Sequence, residues 1–112
     1  MLTREQCIKL KGWGFPQMQT NRWYFVTGRE VSYVATLRDR RIHHPDDVVD
    51  IPDLGALIPW LGDKFNSMDR SSLGYKVYSM HVGTTPVIAE GATPLAAVYA
   101  LCEAIFGGNN EH

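Results

Sequence analysis

His43, His44, Asp46, Asp47 and Asp50 form the densest run of polar side chains in the sequence. Imidazole nitrogens and carboxylate oxygens suit zinc or manganese, and a single loop can fold such donors around one ion. The candidate ligands are His43, His44, Asp46 and Asp47, although their spacing matches no metal signature. The competing reading is a solvated loop whose aspartates cap a turn. Just upstream, Arg38, Arg40 and Arg41 make the one basic cluster. With Trp23, Tyr24 and Tyr33 close by in the chain, they describe a surface for phosphates and stacked bases. Against this, Asp39, Asp46 and Asp47 stand ready to neutralise the arginines locally.

Catalytic chemistry has less to stand on. Cys102 and His81 have the types of a nucleophile and its base, yet no strained turn presents the thiol. Cys7 and Cys102 both fall in apolar helical patterns, which reads as two reduced core thiols. A bridge between them is the alternative and depends on geometry. GxGxxG, P-loop, HExxH, nucleophile-elbow and CxxC patterns are all missing, so no cofactor is called for. Carboxylates from separate loops can still build a site, which keeps a small metal-dependent hydrolase as a third reading. Among the three tryptophans, Trp60 stands off the stripe of Leu57, Ile58 and Leu61. Tryptophan is frequent among interaction hot spots, so Trp60 is a candidate contact residue.

The bulk properties bound these choices. A chain of 112 residues fits one domain, 1–112, with 109–112 frayed. Hydrophobic residues at 45% and charged residues at 21% describe a folded globular protein. The formal net charge of -1 gives no overall attraction for nucleic acid or an anionic membrane. The start, Met1-Leu2-Thr3-Arg4-Glu5-Gln6, lacks an apolar leader, and no run approaches a membrane span. The expectation is a cytoplasmic protein with no membrane partner.

The elements that must position these residues follow from periodicity and capping. Thr3 with Gln6 makes a capping box for a first helix, Leu2 and Cys7 fall at the staple positions, and Gly12 suits its stop. Trp23–Val26 and Val31–Ala35 predict a hairpin, with Gly28 and Arg29 in a II′ turn. A polar connection spans Arg38 to Asp50. Asp53 caps a second helix through Leu54, Leu57, Ile58, Leu61 and Phe65, which Pro59 shortens or bends before Gly62. A second hairpin joins Tyr75–Val82 to Val87–Glu90 through Gly83-Thr84-Thr85. Thr93 and Pro94 open a last helix that runs to Phe106. The fold class is α+β, in the order helix, hairpin, helix, hairpin, helix. About four antiparallel strands form one sheet with helices packed on it.

Ile51-Pro52-Asp53-Leu54-Gly55-Ala56-Leu57-Ile58 and Gly91-Ala92-Thr93-Pro94-Leu95-Ala96-Ala97-Val98, with the opening Thr3-Arg4-Glu5-Gln6 and Gly14-Phe15-Pro16-Gln17, carry a resemblance. The chain resembles short α/β proteins of bacteriophages, prophages and mobile elements, some described as phage sandwich domains. Gly55 and Pro59 depart from that pattern in the second helix. The resemblance implies a phage-type origin, and inhibition of a host defence system, in the manner of anti-CRISPR proteins, is one role it admits. The leading expectation is a non-enzymatic protein–protein interaction module, with a host protein or a second copy (a homodimer) as partner. A nucleic-acid-binding accessory protein using the Arg38–His44 cluster is the alternative. On the last helix, Ala96, Ala97, Ala100 and Ala104 leave one side small, with Glu103 its one charge. Trp60, Ala96, Ala100 and Glu103 are therefore the candidate interface residues.

Overall fold

The computed structural model describes residues 1–34, 41–79 and 86–107. These fall into two compact units, Met1–Ala56 and Leu57–His112. The first holds helix α1 (Arg4–Gly12) and strands β1 (Arg22–Phe25), β2 (Ser32–Val34) and β3 (Val48–Asp50). Helix α2 (Leu54–Leu61) straddles the boundary in sequence. The second unit holds β4 (Ser67–Ser71), β5 (Gly74–Ser79), β6 (Val87–Gly91) and helix α3 (Pro94–Cys102). The class is α+β, as the sequence predicts. The strands, however, form two three-stranded antiparallel sheets among the described residues, ordered β2-β1-β3 and β4-β5-β6, in place of one four-stranded sheet.

The cap chemistry explains where the helices start. Gln6 N donates to Thr3 Oγ1 at 3.2 Å and Thr3 N donates to Gln6 Oε1 at 2.9 Å, closing the capping box. Leu2 and Cys7 are both buried at the staple positions. The stop comes later than Gly12. Gly14, at φ +104, takes the left-handed position. Gly14 N donates to Lys11 O and Phe15 N to Leu10 O, the bond pair of a Schellman ending. Ala56 N donates to Asp53 Oδ1 at 3.0 Å, so Asp53 caps α2 as expected. With Pro59 inside it, α2 lasts eight residues and gives way to a 3₁₀ turn, Gly62–Lys64. Ala96 N donates to Thr93 Oγ1 at 3.1 Å, and Pro94 occupies the first turn of α3. The α-helix ends at Cys102, and Glu103–Gly107 continues as a π-helical turn.

Two strands had no visible signal. Val48-Val49-Asp50 lies inside the stretch read as a polar connection, yet all three residues are buried as β3. β4 carries no apolar alternation and alternates only partly in burial. It joins β5 through a two-residue turn, Ser72-Leu73, with Ser71 opposite Gly74. In the first hairpin Trp23 lies opposite Tyr33, so β1 and β2 are linked by a longer loop in which Gly28 has φ +82, and not by a tight II′ turn. The second hairpin pairs Tyr78 with Ile88, and its expected turn lies outside the described residues.

The second unit owes its close packing to two glycines. A Cβ on Gly91 would meet Ala97 N at 2.4 Å, and a Cβ on Gly74 would meet Gly91 O at the same distance. The starts of β5 and α3 therefore both press on the end of β6. Ala97 is fully buried at this contact, which gives one of the small residues of α3 a role within the chain.

Candidate functional site

Alternation along β1 sorts its aromatic side chains. Tyr24 turns towards α1, where its hydroxyl donates to Leu2 O at 2.7 Å. Loss of hydration, first, pushes its pKa up. Trp23 and Phe25 take the opposite face and meet Tyr33 from β2 and His43. Trp23 stacks on Tyr33 at 5.0 Å between centroids and 20° between planes. Phe25 meets Tyr33 edge-on at 5.2 Å and 76°, and His43 packs 4.9 Å from Phe25 and 5.2 Å from Trp23. The expected trio of Trp23, Tyr24 and Tyr33 is thus corrected: Tyr24 leaves, and Phe25 and His43 join. Trp23 Nε1 is buried in this cluster with no hydrogen-bond acceptor among the described residues.

Beside the rings lies an open hollow of about 540 Å³, lined by Phe25, Thr27, Arg29, Tyr33 and Asp47. Its walls are tied to one face of α1. Arg4 Nη1 donates to Gly28 O at 2.8 Å and to Phe25 O at 3.3 Å, which holds the loop that carries Arg29. One heptad on, Lys11 Nζ donates to Pro45 O at 2.8 Å, which holds the 3₁₀ turn Pro45–Asp47. Val26 N donates to Asp47 O at 2.9 Å and closes the space between the two walls.

The backbone register leaves one sheet edge open. Ile51 N donates to Arg22 O and Val26 N to Asp47 O, so alternate residues of β1 bond towards β3. Trp23 then bonds towards β2, and the N–H and C=O of Ser32 and Val34 turn outward. Among the described residues no strand lies on that side of β2. Val31, Tyr33 and Val34 are exposed there, at 47%, 43% and 60%.

The metal candidates are spread apart. His43 belongs to the ring cluster. His44 Nδ1 accepts from Asp46 N at 3.1 Å and caps the 3₁₀ turn, so a histidine does the capping expected of an aspartate. Asp47 faces the hollow. Asp50, 1% exposed, accepts from Gln19 N at 2.7 Å and Thr20 N at 3.2 Å, while its own N–H donates to Gln17 Oε1. Among the described residues no three His, Cys, Asp or Glu side chains gather to hold a metal ion. Arg41 is exposed, whereas Arg38 and Arg40 lie outside the described residues, as does His81.

In the second unit, Trp60 is half-buried and stacks on Phe106 at 5.0 Å and 26°. Ala96 and Glu103 are exposed and Ala100 is half-buried. Cys7 and Cys102 are free, buried thiols, and loss of hydration raises both to a pKa of about 12. No described helix is long and apolar enough to cross a membrane. The residue the sequence missed is Arg29, whose place in a turn hid its approach to Tyr33 and Asp47. Comparison with protein-family models, with curated proteins and with solved structures finds no match to this chain.

Proposed function

We propose that the protein is a non-enzymatic protein–protein interaction module that pairs with a second copy of itself along the open edge of β2. The outward backbone groups of Ser32 and Val34 carry this reading, because an unpaired edge is a ready template for another strand. Antiparallel pairing of one β2 with another is isologous, so a single patch serves both partners and the assembly closes at two. Exposed Val31 and Val34 add apolar area at that edge. A formal net charge of -1 sets little repulsion between copies. A three-residue strand gives few bonds, so the dimer is a reversible one.

Sedimentation equilibrium over a range of concentrations tests this. The wild-type chain should show a monomer–dimer equilibrium, and Val34→Lys should weaken it by about tenfold or more, since lysine blunts an edge strand. A wild-type chain that stays monomeric, or a Val34→Lys chain that dimerises unchanged, rules the reading out. The first result would favour a host protein as partner, the other occupant this reading admits. The nucleic-acid reading draws separate support from the ring cluster and its hollow.

A further inference from the structure

We infer that the hollow beside Tyr33 binds a nucleotide, with the base stacked on Tyr33, the phosphate held by Arg29 and the base edge read by Asp47. One face of the Tyr33 ring is covered by Trp23, nearly parallel to it. Phe25 meets the ring at a steep angle and buttresses its side. Tyr33 as a residue is still 43% exposed beside the hollow, which leaves room for a third planar group next to the Trp23–Tyr33 pair. A base placed there extends an existing stack, and the rings need not move to receive it.

Charge selects among planar ligands. Arg29 and Asp47 line the same hollow and make no ion pair with each other. The guanidinium suits a phosphate, which it binds through paired N–H groups. The carboxylate accepts only, so it suits the N–H donors on a base edge. Guanine offers two such donors side by side and is the base this arrangement favours. Thr27 adds a hydroxyl at the rim. A peptide arginine would also stack on Tyr33 and meet Asp47, but Arg29 would repel it.

Arg4 and Lys11 brace this site by holding the loop of Arg29 and the turn of Asp47 to α1. The site uses the ring face of Tyr33, whereas dimer pairing uses the backbone of Ser32 and Val34. The two readings therefore stand or fall apart.

The test is a tryptophan-fluorescence titration of the full chain at low salt with GMP, with UMP and with a G-containing single-stranded octanucleotide. Saturable quenching by GMP, stronger than by UMP, is expected. Tyr33→Leu should weaken binding by about tenfold or more, the scale of one stacked base, while Tyr33→Phe retains it. Arg29→Gln, a change at an exposed position, should weaken binding and flatten its salt dependence. Equal affinity for GMP and the octanucleotide identifies a free nucleotide as the ligand. Much tighter binding of the octanucleotide identifies a single strand. No quenching by any of the three overturns the proposal, and so does binding that Arg29→Gln and Tyr33→Leu leave unchanged. Preferential capture of an arginine-containing peptide overturns it in favour of a cationic ligand. Val34→Lys should leave all nucleotide binding intact.

Discussion

Cys7 and Cys102 show how far a residue's type is from its behaviour. Each thiol is buried, and each keeps its proton up to a pH of about 12. Lost hydration is the main cause at both, with the charges of Asp50 and Glu30 adding to it at Cys7. The thiolate is the reactive form, so the folded chain at pH 8 should resist iodoacetamide while the urea-unfolded chain is alkylated at both sites. Mass spectrometry after a timed quench checks this, and rapid native labelling would contradict it. The linkage has a definite sign. Below pH 9 both states hold the protons, and above it the unfolded chain releases them while the folded chain does not. These two groups therefore lower stability as pH rises from about 9.0 towards 12. The sequence showed the thiols as core residues because helical periodicity exposes a buried stripe. It did not show Asp50 as buried, because a carboxylate is placed in a core only by distant donors, here the amides of Gln19 and Thr20.

At the scale of elements, capping was legible and pairing was not. Thr3, Asp53 and Thr93 each hold the amide expected of them, since a cap needs only residues three positions away. β3 and β4 depend on partners far along the chain. Val48 and Val49 sit between aspartates, and Ser67–Ser71 is almost wholly polar, so neither run shows the alternation of a strand. The hollow escaped notice for the same reason: Arg29 and Asp47 are brought together by β1 pairing on both sides, not by spacing. One close element contact is at Gly91, where a methyl group would overlap the backbone at the start of α3. Gly91→Ala should destabilise the protein by about 3 kcal/mol, read as a lowered urea midpoint at unchanged slope. A midpoint within error of wild type would mean that α3 and β6 give way freely.

For the molecule as a whole, the order of helix and strand signals set the α+β class correctly, and composition could not set the number of sheets. A single sheet of four strands and two sheets of three need similar amounts of apolar residue, and nothing in the total distinguishes them. Charge does carry a prediction at this scale. The sequence pI of about 6.4 marks where mutual repulsion between copies vanishes. Self-association measured by light scattering should be strongest near pH 6.4 and weaken by pH 9, and the reverse trend would point to association driven by paired charges. The ring pairs have one more consequence, an optical one. Trp23 on Tyr33 and Trp60 on Phe106 are each closely spaced chromophores fixed at a small angle, one pair in each compact unit. Such pairs are chiral absorbers, so near-ultraviolet ellipticity carries a separate signature from each half of the chain. Loss of one signature before the other during unfolding would reveal, without any added label, whether the halves melt together.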